Sequence, residues 1–414
     1  MAHKTLIGGT TYDITGGKTL VSGTSYSVKN GKVLIGGTAY DISFAKQYPA
    51  KVQNFWSSSW YEDEASKPSY VTCATYAKGY WVVGGYSTQS SSYIAYAKSL
   101  EGPWTTKKLW TGSSGYVNSS TIRSITYTNG YFVVCGRTYS SSTSGQARIA
   151  YATSPDGDWT IKDIWSSFRA EIYSITYGNG YWIVGGCSGG SGNSEQYAKI
   201  AYSTSLNGTW TTNTLISSSS NGTAYVQKIL YENGYFVAAC YWQYSYNSNK
   251  SYPRIAYATT PTGTWTTQDL WSIGTVNSYI NDLIYANGYW VAVGCYYSSS
   301  TYYARLAYAT SPTGTWTIKD LWSNTNSSCQ LYDIIHDGTS YVVRGYKTAT
   351  TWCTATSLNG TWTNITVPAS SIMSFFFMDF IDGNYLAGGQ YTSGTTSTSK
   401  LANAPTLEEL GTTQ

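Results

Sequence analysis

Asp282 and Asp333 are the side chains of this sequence whose type and spacing could most clearly do chemistry. They occupy the same position in two copies of a repeat that runs along the chain. Two opposed carboxyl groups supply the acid and the base of many glycoside hydrolases. A polar ring can equally line a solvated central channel, and we favour this second interpretation over a catalytic site. Other copies carry polar residues at that position or close to it, namely Ser124, Ser174, Lys228 and Asp379.

No other combination of residues has the spacing of a reactive site. His3 and His336 are the only histidines, and neither has a partner at metal-ligand spacing. The run Glu62-Asp63-Glu64 lacks the alternating ligands of a calcium loop and indicates a solvated loop. A Ser-His-Asp set, a glycine-rich phosphate loop and a zinc motif are also missing. We therefore predict no catalytic residue, no metal site and no cofactor.

Charge and cysteine content narrow the classes of partner. The formal net charge is +4 and the basic residues are dispersed. This distribution does not favour nucleic-acid binding, which needs a cluster of basic residues. No apolar run is long enough to span a membrane, and the N-terminus has no apolar run of the length found in signal peptides. Seven cysteines without a CxxC pair indicate buried free thiols and assembly in a reducing cytosol. We expect no nucleic-acid partner and no membrane insertion.

The segment Ile280–Ser323 shows the repeat that positions these residues. Its four apolar runs are too short for helices and suit strands. Asn287-Gly288 tolerates the positive φ values of a type I′ hairpin turn between the first two strands. Ser311-Pro312-Thr313-Gly314 separates the third strand from the fourth, with proline and glycine at turn positions. The segment therefore predicts a sheet of four antiparallel strands.

The number of copies predicts the architecture. The tyrosine that opens the second strand recurs at spacings near fifty residues, whereas the Gly-x-Trp of the fourth strand recurs only six times. We predict that Ala50–Trp56 supplies the missing strand and closes a ring, because an open ring leaves two unpaired edges. Residues 46–414 are therefore predicted to form an all-β, seven-bladed β-propeller. The seven tyrosines are Tyr80, Tyr131, Tyr181, Tyr235, Tyr289, Tyr341 and Tyr385.

Residues 1–45 contain a smaller repeat with a period of fourteen. Lys4–Gly17, Lys18–Gly31 and Lys32–Ala45 each indicate two short strands separated by a glycine-containing turn. We predict a six-strand β-meander whose core is too small for confident stability alone. This module is therefore expected to pack against copies of itself, in a homo-oligomer, or against another surface.

The Gly-Gly-Thr-x-Tyr-Asp-Ile motif of this module resembles N-terminal segments of virion proteins from tailed bacteriophages and prophages. In that family the segment usually precedes a variable C-terminal module. The resemblance covers residues 1–45 and implies an attachment module that docks on virion proteins. It further implies a tail-fibre or head-fibre type of virion protein that is made in the host cytoplasm without a signal peptide.

Three repeats carry an arginine on the third strand and an aspartate fifteen residues later on the fourth. Repeats with another residue at the first position lack the aspartate as well, so the charges occur together or not at all. Facing strands bring such residues close. We predict cross-strand ion pairs with a structural role: Arg148–Asp163, Arg254–Asp269 and Arg305–Asp320.

The turn Ser154–Trp159 resembles the Asp-box of sialidase-like propellers, Ser-x-Asp-x-Gly-x-x-Trp. It departs from the motif because its aspartate is adjacent to the glycine, and the other copies carry Glu101, Asn207, Thr262, Thr313 and Asn359 there. The box is a folding turn without a catalytic role. A sialidase also needs three converging arginines, a Tyr-Glu pair and an acid. Glutamates near the ring are sparse, and the arginines outside the predicted pairs are Arg123, Arg137, Arg169 and Arg344.

The connections between second and third strands differ in length and sequence from one repeat to the next, and they are rich in Tyr, Ser, Gly and Asn. They are predicted to be long loops on one face of the ring. The same residues are favoured in antibody paratopes, and aromatic faces also stack on sugar rings. We predict ligand contacts from Tyr139, Tyr241, Trp242, Tyr244, Tyr246, Tyr296, Tyr297, Tyr302 and Tyr303.

These observations favour a non-enzymatic adhesion protein on a phage particle, with a host-surface glycan or protein as receptor and residues 1–45 as its anchor. Two alternatives stay open. One is a structural or decorating virion protein whose loops contact a neighbouring subunit. The other is a carbohydrate-active enzyme that works in the channel with Asp282 and Asp333.

Overall fold

A computed structural model of the protein describes most of the chain. The chain divides into two compact units, Met1–Tyr48 and Pro49–Gln414. The described residues are 3–7, 10–15, 18–21, 24–27, 32–35, 38–41, 51–58, 69–87, 91–112, 120–141, 144–189, 196–218, 222–243, 250–271, 274–275, 278–325, 328–347, 350–365, 373–393 and 396–410.

The first unit contains six short strands, as its repeat predicts. The first four pair in order in one sheet, whereas the last two pair only with each other. Among the described residues of this unit, the six strands therefore form two sheets and not the single six-strand meander that was predicted. Its strands have only four to six residues and offer few backbone hydrogen bonds to a neighbour. They are β1 (His3–Ile7), β2 (Thr10–Thr15), β3 (Lys18–Val21), β4 (Thr24–Ser27), β5 (Lys32–Ile35) and β6 (Thr38–Asp41).

The second unit is a seven-bladed β-propeller whose blades are antiparallel sheets of four strands, with a fifth, two-residue strand in blade 4. Blades 1 to 6 are formed by consecutive strands within residues 70–111, 120–167, 171–216, 223–275, 279–324 and 330–365. The fifth strand, Gly274–Thr275, pairs with Lys250–Ala258. The strands are β7 (Lys51–Ser58), β8 (Tyr70–Ala77), β9 (Tyr80–Ser87), β10 (Ser91–Ala97), β11 (Thr105–Thr111), β12 (Ser120–Thr128), β13 (Tyr131–Ser141), β14 (Ser144–Ala152), β15 (Thr160–Ser167), β16 (Glu171–Gly178), β17 (Tyr181–Gly189), β18 (Gln196–Ser203), β19 (Thr211–Ile216), β20 (Thr223–Glu232), β21 (Tyr235–Gln243), β22 (Lys250–Ala258), β23 (Thr266–Asp269), β24 (Gly274–Thr275), β25 (Tyr279–Ala286), β26 (Tyr289–Ser298), β27 (Thr301–Ala309), β28 (Thr317–Asn324), β29 (Gln330–His336), β30 (Tyr341–Tyr346), β31 (Thr350–Ala355), β32 (Thr363–Ile365), β33 (Met373–Ile381), β34 (Asn384–Ser393) and β35 (Thr396–Ala404), followed by α1 (Leu407–Leu410).

Blade 7 is assembled from both ends of the unit. Its order is β33-β34-β35-β7, and β7 pairs antiparallel with β35 through registers such as Leu401 with Gln53. The closing strand predicted at Ala50–Trp56 is thus confirmed. Closure leaves no blade without its outer strand, and this removes the unpaired edges that an open ring would expose.

The tight turns between first and second strands have the predicted geometry. Asn287 and Gly288 both have positive φ, at 53° and 82°, which is the type I′ pattern that matches strand twist. In five of the six turns between third and fourth strands, the tryptophan of the Gly-x-Trp motif donates to a carbonyl four residues earlier. The exception is Trp316, whose Nε1 has no hydrogen-bond partner among the described residues. Trp159 Nε1 to Pro155 O, at 3.1 Å, is one example of the five. This turn is structural, as expected from the modified Asp-box.

Outer-strand side chains join neighbouring blades. Trp165 Nε1 donates to Cys187 O of the next blade at 3.0 Å, and Lys162 Nζ donates to Gly208 O in the turn of that blade at 2.6 Å. Blades 1 and 5 repeat both contacts through Trp110, Lys107, Trp322 and Lys319. Apolar clusters fill the space between blades. All seven cysteines are buried and free, which confirms the prediction from their spacing.

The three predicted cross-strand ion pairs are present. Each arginine faces its aspartate directly in the ladder and binds both carboxylate oxygens, and in blade 5 Arg305 approaches Asp320 at 2.6 and 2.9 Å. The same geometry joins Arg148 to Asp163 and Arg254 to Asp269. The aspartates are exposed enough, up to 43% in Asp163, for water to weaken these pairs.

Candidate functional site

A β-bulge occurs at the same place in the inner strand of every blade. In blade 5 the register shifts between Ile280 and Asp282, so that Asn281 is the extra residue. A bulge lets two consecutive side chains point the same way, whereas a regular strand alternates them. The seven extra residues are Thr72, Arg123, Tyr173, Gln227, Asn281, Tyr332 and Phe376.

A glycine on the second strand makes room for most of these bulges. A Cβ atom at Gly186 would lie 1.9 Å from Glu171 O, and one at Gly294 would lie 1.9 Å from Tyr279 O. The bulge therefore brings the inner-strand carbonyl so close that no side chain fits opposite. Glycine within a strand is the sequence signal of a bulge, and it could have identified the channel residues that the repeat alone missed.

The bulged strands surround a cavity of ≈ 230 Å³ in the channel. This confirms the predicted channel position of Ser124, Lys228, Asp282, Asp333 and Asp379. Ser174 does not face the cavity: its hydroxyl is buried and accepts a hydrogen bond from Ile229 N at 3.1 Å. The remaining lining residues, which the sequence did not indicate, are Thr72, Cys73, Ala74, Arg123, Ile125, Tyr173, Gln227, Asn281, Phe376, Phe377 and Met378.

The acidic side of the channel is formed by blades 4 to 7. Lys228 Nζ lies 3.2 Å from Asp282 Oδ1, and Arg344 Nε donates to Asp333 Oδ2 at 2.5 Å. Burial raises the pKa of Asp333 to about 6, although Arg344 opposes the shift. Burial also raises the pKa of Asp379 to about 6, and Lys228 offsets this only in part. These two carboxyl groups therefore ionise near neutral pH.

The basic side of the channel is built on Glu171, whose side chain is only 1% exposed. Its carboxylate accepts from Arg123 Nε at 2.6 Å and from Arg137 Nη1 at 2.7 Å, and Thr121 Oγ1 adds a third contact at 3.1 Å. Burial alone raises the pKa of Glu171, but the two guanidinium groups outweigh it and lower the pKa to about 2. This carboxylate is therefore charged at neutral pH and holds Arg123 beside the cavity.

The predicted ligand-binding aromatics lie on strands, not on long loops. Tyr139 is on β13, Tyr241 and Trp242 are on β21, and the blade 5 tyrosines are on β26 and β27. The blade 5 hairpin ends in a two-residue turn, Ser299-Ser300, with φ of 49° and 63°. The loop prediction was therefore wrong here, because Tyr and Ser extend the antiparallel ladder as readily as they form loops. Tyr244 and Tyr246 lie outside the described residues.

These aromatics pack on one another in pairs across the strands. The Trp242 and Tyr252 rings stack at 4.4 Å, and the Tyr297 and Tyr302 rings lie 4.4 Å apart. Ion-pair arginines support two of the groups, because Arg254 lies over Trp242 and Arg305 lies 4.0 Å from the Tyr296 ring. Tyr139 similarly contacts Arg137, and Tyr303 and Tyr241 contact Tyr296 and Tyr225. The rings are half-buried and held in fixed orientations.

Two further features are missing from the described part of the chain. It holds no group of three or more His, Cys, Asp or Glu side chains placed to bind a metal ion. No helix among these residues has the length and apolar character needed to cross a membrane.

The chain resembles several solved structures in its fold. No protein-family model matches the chain, and no curated protein sequence matches it. Among solved structures, it is similar to a PL25 ulvan lyase bound to -[GlcA(1-4)Rha3S]-, with a TM-score of 0.59, 10% identity, and coverage of 84% of this chain and 98% of that one. The polysaccharide lyase Uly1 is similar with a TM-score of 0.53 and 11% identity, and the match covers 80% of this chain and 89% of that one. YCF48 bound to D1 peptide is similar with a TM-score of 0.52 and 11% identity, and the match covers 87% of this chain and 96% of that one. At such identities the likeness establishes the propeller fold.

Proposed function

We propose that the protein is a non-enzymatic virion protein that binds a glycan on a host surface through its hairpin face. We define the hairpin face as the face that carries the connections between second and third strands of each blade. Consecutive antiparallel strands place those connections at the end of the blade opposite the tight Asn-Gly turns. The observation that carries the proposal is the set of fixed aromatic pairs at that end in blades 4 and 5, formed by Trp242 with Tyr252 and Tyr297 with Tyr302.

Such pairs suit sugar binding for a physical reason. A fixed aromatic ring offers a flat apolar surface to the C–H face of a sugar, and little side-chain entropy is lost on binding. The surrounding Ser, Asn and Tyr hydroxyl and amide groups supply hydrogen bonds of adaptable geometry. A propeller of similar fold holds a saccharide in the ulvan lyase complex, while YCF48 holds a peptide. We favour the glycan because stacked aromatics suit sugar faces.

Binding of the full-length protein to host cells and to a glycan array tests the proposal. Trp242→Ala and Tyr297→Ala should weaken binding roughly tenfold or more, as expected for central aromatic contacts. Tyr289→Ala is the matched control, because Tyr289 is an exposed tyrosine that follows a tight turn at the opposite face. Periodate treatment of the cells should abolish binding and protease treatment should not. Equal binding by all three variants, or loss only after protease treatment, would contradict a glycan-binding hairpin face.

The anchoring role of residues 1–45 belongs to the same proposal. Its support is the resemblance of the GGTxYDI repeat to phage virion segments and the separate compact unit that contains it. Particles assembled with a chain that lacks residues 1–45 should not carry the protein, while the truncated chain keeps its affinity for cells. Normal incorporation of the truncated chain would refute the anchor.

Carbohydrate cleavage in the channel is a second candidate function. It is favoured by one observation, which is that Asp333 and Asp379, both with a pKa of about 6, share a cavity with Asp282. A general acid near its pKa and an ionised partner form the usual pair for glycoside hydrolysis. Release of reducing ends from a bound glycan that disappears in Asp282→Asn and in Asp333→Asn would establish this activity. Intact glycan after prolonged incubation would exclude it.

A further inference from the structure

Five charged side chains line the channel cavity, namely Arg123, Lys228, Asp282, Asp333 and Asp379, and most of them are already paired. Lys228 contacts Asp282 at 3.2 Å, and Arg344 contacts Asp333. Arg344 is also held by the carbonyls of Phe375 and Phe376 at 3.0 and 3.2 Å, so it cannot turn toward a ligand without losing three partners. These two pairs are electrically neutral, and the groups that remain decide what the cavity attracts.

Arg123 keeps unused hydrogen-bond donors on the basic side. It shares the single carboxylate of Glu171 with Arg137, so this carboxylate does not occupy all of its N–H groups. Arg123 lines the cavity, and its side chain is 34% exposed. Its Nε atom is used by Glu171, whereas its Nη nitrogens have no acceptor within the described ranges. The guanidinium lies over the Tyr173 ring at 5.5 Å, so its orientation is fixed.

One negative charge remains on the acidic side. Asp379 lines the same cavity and accepts a hydrogen bond from Phe380 N at 2.8 Å. Within the described part of blades 1 to 7, no cation lies within ion-pair distance of this carboxylate. The cavity thus has, at blade 2, a cation whose Nη nitrogens have no described acceptor and, at blade 7, an anion that no described cation contacts. Phe376, which is 44% exposed, adds an apolar surface to the lining of the same cavity.

We propose that this cavity is a ligand site for a small zwitterion, with its carboxylate at Arg123 and its ammonium group at Asp379. A zwitterion satisfies both remaining charges, whereas a simple anion or a simple cation satisfies one and leaves the other desolvated. Gln227 and Asn281 border the site and supply polar contacts to groups between the two charges. This site is separate from the hairpin face, and the proposal does not depend on the glycan-binding role of that face.

Four sugars of similar ring size separate the charges cleanly. Calorimetric titration of the full-length protein at pH 7 should use glucose, glucosamine, glucuronate and muramic acid, which carry no charge, a cation, an anion and both charges. Muramic acid should bind roughly tenfold or more tightly than glucosamine or glucuronate, the usual effect of one charge-assisted hydrogen bond. 4-Aminobutyrate tests the source of the zwitterion: affinity equal to that of muramic acid indicates recognition of an amino acid type, and weaker affinity indicates recognition of the sugar ring as well.

Two variants assign the charges to their residues. Asp379→Asn should lower the affinity for muramic acid to that for glucuronate, and Arg123→Gln should lower it to that for glucosamine. Asp379→Asn leaves the Glu171 trio intact, so it decides the question even if Arg123→Gln weakens the fold. Asp320→Asn is the control and should change nothing. It removes one of the three cross-strand ion pairs between third and fourth strands, which we call the rim ion pairs. No binding of any probe at millimolar concentration, equal binding of all four sugars, or unchanged selectivity in Asp379→Asn would overturn the proposal.

Discussion

The two sides of the channel are built on the same bulged strands and solve opposite electrostatic problems. On the side of blades 2 and 3, one buried carboxylate, Glu171, serves two arginines. On the side of blades 4 to 7, two cations serve three carboxylates, and the pKa values of Asp333 and Asp379 rise to about 6. The difference shows that repeated backbone geometry fixes where side chains point, while each blade's own residues fix the charge they carry.

Removal of the Glu171 charge should produce the largest effect on this comparison. Glu171→Gln leaves Arg123 and Arg137 without their shared anion in a nearly solvent-free position. Breaking a buried ion network by removing one partner costs about 3–5 kcal/mol of unfolding free energy. Urea denaturation at pH 7 measures it. A loss no larger than that of an exposed rim pair would show that Glu171 is more hydrated than its 1% exposure indicates.

The bulges themselves should be equally sensitive on both sides. Gly186→Ala in blade 3 and Gly294→Ala in blade 5 each place a Cβ atom 1.9 Å from a carbonyl oxygen. Each should lower the free energy of unfolding by about 1–3 kcal/mol or more, because the carbonyl must move. Gly157→Ala is the control, since its Cβ would lie 3.4 Å from the nearest atom. Clearly unequal losses would mean that charge, not only backbone geometry, holds one of the bulges.

The pH dependence of stability should have opposite signs on the two sides. The pKa of Asp379 rises from 3.8 to about 6 on folding, so the folded state binds the proton more tightly, and its contribution to stability falls as pH rises from about 4 to about 6. The pKa of Glu171 falls from 4.5 to about 2, so its contribution is lost as pH falls through that range.

Denaturation midpoints measured from pH 3 to 8 test both signs. Asp379→Asn should remove part of the decline between pH 4 and 6, because Asp333, whose pKa is also raised to about 6, keeps its own share. The variant should raise the unfolding free energy at pH 7 by on the order of 1–3 kcal/mol. An unchanged profile in this variant would contradict a raised pKa at Asp379.

The rim ion pairs should give the smallest effect. Asp320→Asn breaks a bidentate pair with Arg305, but the aspartate side chain is 34% exposed. Exposed pairs of this kind contribute about 1 kcal/mol or less. The loss should also shrink in 1 M salt, because the Debye length there is only about 3 Å. A loss as large as that of Glu171→Gln would remove the distinction between channel and rim.

Periodicity made much of the propeller predictable. The recurring tyrosines give the number of blades, and the smaller number of Gly-x-Trp turns shows that one blade lacks its own fourth strand. The segment predicted at Ala50–Trp56 supplies that strand as β7. The ion pairs were also predictable, because arginine and aspartate occur together at a fixed separation. These features depend on local strand pairing, which a single repeat encodes in its own residues.

The channel chemistry was predictable only in part. Asp282 and Asp333 stood out because they share a repeat position, but Arg123, Arg137 and Glu171 come from two blades and meet only through the bulges. No single repeat contains that contact. The glycines of the second strands carried the missing signal. The predicted ligand-binding aromatics were assigned to loops, whereas the described ones lie on strands, because strand extensions and loops can have the same Tyr- and Ser-rich composition.

The split blade joins two roles in one segment. The first unit ends at Tyr48, and Lys51 already begins β7, the strand that completes blade 7. Tension on the N-terminal module would therefore pass along the backbone into β7. Pulling on residues 1–48 would load the pairing of β7 with β35, where the first and last strands of the propeller meet.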